Sequence, residues 1–215
     1  EVAKRPVLPT HDELRDEGKL VQWRGGMKSI FLSHTWLGIN HPDPRGVKCK
    51  LIVALLEGIL SGRTKVTGYW MARIIFGEKG ISAKVLKRTF SDGYIWMDYL
   101  SIPQLDRTHQ GLAIQTITSY VALADLFIVL AGPWVHDTDG SVRDVRAWGE
   151  RGWCRMEFVS SRLCCNNDIP CLVITSREAD FRVGVVFKGE VKVVNAGGDF
   201  KELASGEYAD TTVEL

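Results

Sequence analysis

Four apolar runs constrain the fold of this chain more than any other feature of its sequence. In chain order they read KSIFLS, YIWMDYL (94–100), DLFIVLAG and PCLVIT. Each has the length of a strand, and segments with helical spacing lie between them. Because the runs are continuously apolar rather than alternating, they indicate a parallel sheet that is covered on both faces. We therefore expect an α/β fold, a flavodoxin-like three-layer sandwich with a central parallel sheet.

The segments between the predicted strands have the composition of helices that pack on a sheet. VKCKLIVALLEGILS (47–61) is apolar on most sides, and LAIQTITSYVALA and WCRMEFVSSRLCC follow the second and third strands. The polar sequence HDTDGSVRDVRAWGERG predicts a loop before the last of these helices. We expect residues 62–93 to form an insertion of one or two helices.

The chain of 215 residues is long enough for one domain with a small appendage. We expect an N-terminal leader over residues 1–27, the α/β domain over 28–176 and a small C-terminal β extension over 177–215. In the leader, Thr10 is expected to cap a short helix over residues 11–19. In the extension, two short apolar runs separated by KGE indicate a β-hairpin.

Composition argues against several classes of partner and location. The formal net charge is +1, which does not indicate binding to nucleic acid or to an anionic membrane. No apolar run approaches the length that a membrane-spanning helix needs. The N-terminal sequence EVAKRPVLPTHDELRDEGKL is charged, so we do not expect it to be a signal peptide. Five cysteines, an odd number, indicate free thiols in a reducing compartment, and we expect a cytoplasmic protein.

Three of the cysteines lie close enough in sequence to raise the question of a metal site. They are Cys164, Cys165 and Cys171. Their spacing fits no CxxC pattern, and Cys171 lies inside the strand-like run PCLVIT. We interpret the cysteines as small buried hydrophobic residues and expect neither a metal nor a bound cofactor.

Chemistry-bearing residues follow the predicted strands. In an open parallel sheet, ligands bind outside the carboxyl ends of the strands. Ser33, His34 and Trp36 come at the end of the first strand. The second predicted strand contains Asp98, and Gln104 lies in the loop after it. We expect these side chains to converge on one edge of the sheet.

The segment GERGWCRMEF (149–158) adds a third candidate group after the third strand. It places Trp153, Cys154 and Glu157 on the first turns of a helix. Trp153 and Glu157 are four residues apart, so they lie on one helix face. An acid beside a large aromatic side chain is either a surface feature or part of a pocket.

Common catalytic motifs do not account for these residues. The sequence lacks the GxxxxGK[ST] phosphate loop, a GxGxxG after the first strand and the GxSxG nucleophile elbow. A hydrolase that uses Cys154 with His34 or His136 is physically reasonable, because a cysteine at a helix start can have a lowered pKa. No third group that would orient the histidine is evident.

Several of these segments, taken in order, resemble the Toll/interleukin-receptor (TIR) superfamily. SIFLSH opens the domain, YVALADLFIVLAG lies downstream, and RGWCRMEF matches the S-x-W-C-x-x-E-L segment of plant-type members at Trp153, Cys154 and Glu157. The middle stretch also resembles the fungal heterokaryon-incompatibility (HET) domain, with its motif close to W-I-D-x-x-C-I-x-Q. Trp96, Asp98, Ile102 and Gln104 match that motif, and Ser101 replaces its Cys. The resemblance covers residue 28 to about residue 175.

The resemblance implies a TIR-like fold and an activity. TIR enzymes are NAD+ glycohydrolases, hydrolases that cleave the nicotinamide–ribose bond, and the Glu of this helix is their catalytic residue, which corresponds to Glu157. NAD+ is then a substrate, and no cofactor is needed. A carboxylate near the ribose can stabilise the oxocarbenium-like charge that develops there. A separate general acid is unnecessary because nicotinamide leaves as a neutral base.

The resemblance also implies binding residues and partners. The expected substrate-binding residues, with Trp36 and Trp153 as candidates for stacking on the nucleotide, are Ser33, His34, Trp36, Asp98, Gln104, Trp153 and Cys154. A signalling or innate-immune role and self-association, or binding to another TIR-like domain, are expected. The chain departs from enzymic members at His34 and Thr35, where an aromatic residue or Arg is common. A non-catalytic interaction module and a nucleoside transferase using the same carboxylate remain alternatives.

Overall fold

The computed structural model of the chain describes residues 7–63, 81–163, 171–174 and, for the backbone, 193–195. A five-stranded sheet in the order β2-β1-β3-β4-β5 lies at its centre. The strands are β1 (Ser29–His34), β2 (Tyr94–Trp96), β3 (Leu126–Leu130), β4 (Cys171–Ile174) and β5 (Val193–Asn195).

The first four strands pair in parallel, which confirms the prediction of an α/β fold with a parallel sheet. β5 pairs antiparallel with β4 and lies within the predicted C-terminal extension. The remainder of the hairpin predicted there is outside the described residues.

Helices connect the strands in the described part of the chain. They are α1 (His11–Asp16), α2 (Val47–Ser61), α3 (Ala83–Phe90), α4 (Asp98–Ser101), α5 (Arg107–Gln115), α6 (Ile117–Ala122), α7 (Val145–Glu150) and α8 (Gly152–Leu163). α3 lies in the predicted insertion, of which residues 64–80 are outside the described ranges. None of the helices in the described ranges is both long and apolar enough to cross a bilayer.

Successive residues of the central strands belong to two separate hydrophobic clusters, because side chains alternate between the faces of a sheet. Ile30 and Leu32 of β1 pack in a first cluster with α2 and α3. Phe31 packs in a second cluster with α6, α7 and α8. Phe31 also stacks on Trp96 and Phe127, its partners on the neighbouring strands, at centroid distances of 4.5 and 5.3 Å.

The predicted leader helix is confirmed, and the residues just before it pack on the domain. The Thr10 hydroxyl accepts a hydrogen bond from the Glu13 N–H, and the Glu13 carboxylate accepts one from the Thr10 N–H. The helix ends before residue 19 because Gly18 adopts a left-handed conformation (φ 66°). Leu8 is part of the first cluster, so this end of the leader contributes to the core.

Three predicted elements differ from the structure. The second strand ends at Trp96, because the Asp98 carboxylate accepts a hydrogen bond from the Tyr99 N–H and helix α4 begins at Asp98. The predicted helix LAIQTITSYVALA is divided into α5 and α6 at Thr116, whose hydroxyl bonds to carbonyls of the preceding turn. Helix α7, capped by the Asp144 carboxylate, lies in the segment predicted to be a loop.

The three described cysteines, Cys49, Cys154 and Cys171, are buried, as the interpretation of the cysteines expects. Cys164 and Cys165 lie outside the described residues. Within the described ranges, no group of three or more His, Cys, Asp or Glu side chains is placed to hold a metal ion.

Candidate functional site

The candidate site is built around the carboxyl end of β1. Its last two residues, Ser33 and His34, follow Phe31 and Leu32, which lie in opposite clusters. Their side chains therefore point to opposite faces of the sheet. Each of the two is the start of a separate group of polar side chains, so one strand end brings both groups to the same edge.

The first of these, here the Glu157 group, consists of Ser33, Trp148, Cys154 and Glu157. The Trp148 indole N–H donates to the Ser33 Oγ at 2.9 Å, and the Ser33 hydroxyl donates to Glu157 Oε2 at 2.5 Å. Glu157 lies in the second turn of α8 and is only 8% exposed. Among the described residues, Ser33 is the one hydrogen-bond donor to this carboxyl, and it donates to Oε2 rather than to Oε1.

Burial dominates the protonation of Glu157. It raises the pKa of this carboxyl to about 8, and the negative charge of Asp98 acts in the same direction. The hydrogen bond from Ser33 and the charge of Arg151 lower the pKa, but by less. Glu157 is therefore mostly protonated at neutral pH and becomes a carboxylate in mildly alkaline solution.

Cys154 does not have the properties of a nucleophile. Burial raises the pKa of its thiol to about 12, and the neighbouring Glu157 raises it as well. Its Sγ contacts the backbone carbonyl of His34, at 3.6 Å, and not the imidazole that would act as a base. His136 faces Asp139 at 3.2 Å. The structure thus argues against the Cys/His hydrolase interpretation, because the thiol stays protonated and unreactive.

The second set, here the Asp98 group, consists of His34, Trp36, Lys48 and Asp98. His34 Nε2 lies 2.8 Å from Asp98 Oδ1, and the Trp36 indole N–H donates to Oδ2 at 3.0 Å. The Tyr99 backbone N–H donates to Oδ1 at 2.6 Å. Oδ1 thus accepts two hydrogen bonds and Oδ2 one. The Asp98 side chain is 30% exposed, and of its two oxygens Oδ2 has the remaining acceptor position.

Asp98 is ionised at neutral pH. Burial raises its pKa, whereas the interaction with His34 and the hydrogen bonds from Trp36 and Tyr99 lower it further than burial raises it, to about 2. The site therefore contains one neutral and one negatively charged carboxyl group. Such pairs, in which the surroundings move two pKa values apart, are common where acid and base roles are divided.

Lys48, like Trp148 of the Glu157 group, is a residue of this site that sequence reasoning missed. It lies in the first turn of α2 and is 0% exposed. Its Nζ is 3.0 Å from His34 Nδ1, donates to the Thr35 carbonyl, and donates to the Pro42 carbonyl at 3.2 Å. A sequence signal exists: Lys48 shares the spacing of the buried Leu51, Ile52 and Leu55 on the apolar face of α2.

Burial lowers the pKa of Lys48 to about 7, and the nearby charges of Asp43 and Asp98 oppose this effect. The ammonium also lies 5.7 Å from the centre of the Trp134 ring. Burial likewise lowers the pKa of His34, and the adjacent Lys48 lowers it too.

Most of the predicted site residues come together at the end of β1, but Gln104 and Trp153 do not. Ser33, His34, Trp36, Asp98, Cys154 and Glu157 all belong to or contact the two groups. Gln104 instead donates from Nε2 to the Ile102 carbonyl, and its backbone N–H donates to Asp12 of the leader. Trp148, which is not among the predicted site residues, donates to Ser33.

Trp153 is 53% exposed, although it precedes the buried Glu157 by four residues on α8. Four residues correspond to a rotation of about 40° and a rise of about 6 Å along a helix. The next residue, Cys154, is buried against β1, so the exposed and buried sides of the first turn of α8 divide between Trp153 and Cys154. The predicted stacking role of Trp153 stays a prediction.

No family model, no curated protein and no solved structure matches this chain. The features that bear on function are the two groups at the end of β1 and the resemblance of the motifs that supply them.

Proposed function

We propose that the chain is a TIR-like domain with a flavodoxin-like three-layer fold. The parallel order β2-β1-β3-β4 supports this, because flavodoxin-like sheets have the strand order 2-1-3-4-5. The two hydrophobic clusters on opposite faces of the sheet support it as well. The antiparallel β5 departs from an all-parallel sheet.

We propose that this domain is an NAD+ glycohydrolase with Glu157 as its catalytic residue. One observation carries the proposal: Glu157 is buried at the carboxyl end of β1, held by the Ser33 hydroxyl. Ligands of open parallel sheets bind at this edge. The partly exposed, ionised Asp98 lies at the same edge and supplies a second acceptor for the ribose hydroxyls or for the cationic base.

The reaction breaks the bond between C1′ of the ribose and the nicotinamide nitrogen, and nicotinamide leaves with the bonding electron pair as a neutral molecule. The ribose is left with an oxocarbenium-like positive charge, which a carboxylate at Glu157 stabilises. Water then adds to C1′ and releases a proton, so NAD+ and water yield ADP-ribose, nicotinamide and a proton.

This role requires Glu157 in its ionised form, although its pKa is raised to about 8. The positive charge of the bound nicotinamide ring favours ionisation, because an opposite charge at close range lowers the pKa of a carboxyl group. Substrate binding and ionisation of Glu157 are therefore coupled. The buried carboxyl loses its proton more readily when the positively charged nicotinamide ring is bound beside it.

The direct test is release of nicotinamide from NAD+ by concentrated protein. Glu157→Gln preserves the shape of the side chain but cannot ionise, and we expect it to lower the rate on the order of 10³-fold. Glu150→Gln is the matched control, since Glu150 lies on α7 in an exposed ion pair with Arg146. Equal rates for the two variants would exclude Glu157 as the catalytic residue.

A cytoplasmic interaction module with a signalling or defence role is the second candidate, favoured by the exposed apolar residues of α8. Trp153 is 53% and Leu163 is 78% exposed, and ten residues apart they lie within about 80° on a helix. Sedimentation of the Trp153→Ser/Leu163→Ser double variant tests this. Self-association that the double variant loses, without NAD+ turnover at any concentration, would favour the module. A wild type that stays monomeric would argue against self-association.

A further inference from the structure

The surroundings of Lys48 differ from those of an ordinary lysine. An ammonium in the first turn of a helix is opposed by the helix dipole, so Lys48 does not stabilise α2 by its charge. A lysine is rarely fully buried without a partner. Three polar atoms nevertheless surround its Nζ, which are the carbonyl oxygens of Thr35 and Pro42 and the Nδ1 of His34.

While Lys48 is a charged ammonium, the number of acceptors around its Nζ determines where the protons lie. An ammonium has three N–H donors, and the two carbonyls can only accept. The contact of 3.0 Å between Lys48 Nζ and His34 Nδ1 is then a hydrogen bond only if Nδ1 carries a lone pair. A neutral imidazole with a lone pair on Nδ1 has its proton on Nε2, and Nε2 is the atom that faces Asp98 Oδ1 at 2.8 Å.

Lys48 also holds the segment that places Trp36. Its bonds to the Thr35 and Pro42 carbonyls tie together both ends of the loop after β1. Trp36 lies between these two residues, and its indole N–H is the donor to Asp98 Oδ2. Lys48 therefore acts on both oxygens of Asp98, through His34 on one and through Trp36 on the other.

We infer that Lys48 is a positioning residue of this site, which keeps His34 neutral with its proton on Nε2 and so directs two N–H donors onto the Asp98 carboxylate. Asp98 is left with a single open acceptor position, at Oδ2, for a ligand. The role of Lys48 in turnover rests on the proposed NAD+ glycohydrolase function, whereas its effect on His34 does not.

The first test does not depend on any activity. In protein labelled with ¹⁵N-histidine, with the His34 signals assigned from a His34→Gln variant, we expect His34 of the wild type to be neutral and protonated on Nε2. It should stay neutral below the ordinary histidine pKa of about 6.5. A doubly protonated ring, or a proton on Nδ1 alone, at neutral pH would overturn the inference. The spectrum is that of the wild type, so the result does not depend on whether a Lys48 variant folds.

Lys48→Met removes the ammonium and keeps most of the side-chain volume. His34 then faces Asp98 without the opposing cation, so we expect its titration midpoint to move upwards. Lys50→Met is the matched control, since Lys50 is exposed on the same helix, and there the His34 titration should equal that of the wild type. An unchanged midpoint in Lys48→Met would also overturn the inference.

The second test uses NAD+ turnover. We expect Lys48→Met to lower kcat/KM on the order of 10²-fold relative to Lys50→Met, because misplaced groups near a reacting centre cost about that much. Equal turnover of the two variants would contradict the positioning role. A wild type without turnover under any condition would contradict the proposed function instead, and the NMR result would still decide the state of His34.

Discussion

The two carboxyl groups at the end of β1 differ in how the protein surrounds them. Glu157 is 8% exposed and receives a hydrogen bond from one hydroxyl, and its pKa is raised to about 8. Asp98 has a side chain that is 30% exposed and receives N–H donors from His34, Trp36 and Tyr99, and its pKa is lowered to about 2. Burial alone therefore does not set the charge of a carboxyl group, since the donors around it decide whether burial prevails.

The difference arises from adjacent residues of one strand. Ser33 and His34 are neighbours in sequence, yet alternation along β1 sends them to opposite faces. The Ser33 hydroxyl accepts a hydrogen bond from the Trp148 indole, whereas the His34 imidazole contacts the buried Lys48 ammonium. A single strand end can thus hold a neutral and an ionised carboxyl at one edge of a sheet.

The largest expected effect is on the pH dependence of turnover. If only ionised Glu157 supports the reaction, kcat/KM should rise about tenfold per pH unit below about pH 8 and level off above it. The midpoint of kcat should lie at lower pH, because the bound cationic substrate favours ionisation. Steady-state rates of nicotinamide release between pH 6 and 9 measure both. A kcat/KM that is flat over this range would show that ionisation of Glu157 is not required.

Stability should separate the two carboxyls. Asp98→Asn replaces an anion by a group that cannot accept three N–H donors, and we expect a loss of about 2 kcal/mol in the free energy of unfolding. Glu157→Gln replaces a carboxyl that is already neutral at pH 7, so we expect it to cost less than about 1 kcal/mol. Urea unfolding measures both values.

The control for Asp98→Asn is Asp92→Asn, which changes an exposed carboxylate before β2. Similar losses for the Asp98 and Asp92 variants would mean that the donors around Asp98 contribute little to stability. A larger loss for Glu157→Gln than for Asp98→Asn would reverse the comparison.

The smallest of these effects is expected for Ser33→Ala. The Ser33 hydrogen bond lowers the pKa of Glu157, so its removal should raise that pKa by roughly one unit and lower kcat/KM at pH 7 about tenfold. The activity should recover at alkaline pH. Ser29→Ala is the control, since Ser29 lies on β1 and donates to the Leu123 carbonyl instead. A loss of activity that persists at every pH would point to misfolding rather than to the pKa of Glu157.

Sequence patterns predicted the parts of this structure that depend on local or periodic signals. The apolar runs predicted the parallel strands, and Thr10 predicted the start of α1. The convergence of Ser33, His34 and Asp98 on one edge also followed, because it depends only on which residues end parallel strands.

The missed features depend on contacts between distant residues. Trp148 lies 115 positions from the Ser33 hydroxyl that accepts its hydrogen bond, and no local pattern connects them. Lys48 was missed because a lysine is ordinarily placed on the surface, although its spacing matched the apolar face of α2. The exposure of Trp153 depends on which side of α8 packs on the sheet, which the four-residue spacing does not specify.

The contrast between the two carboxyls can be measured in one sample. In protein with ¹³C-labelled Asp and Glu carboxyls, with signals assigned from Glu157→Gln and Asp98→Asn, Glu157 should titrate near pH 8, and Asp98 should stay ionised down to the lowest pH at which the protein remains folded. A Glu157 midpoint near the ordinary value of 4.5 would contradict the account, because the two groups would then carry the same charge at neutral pH.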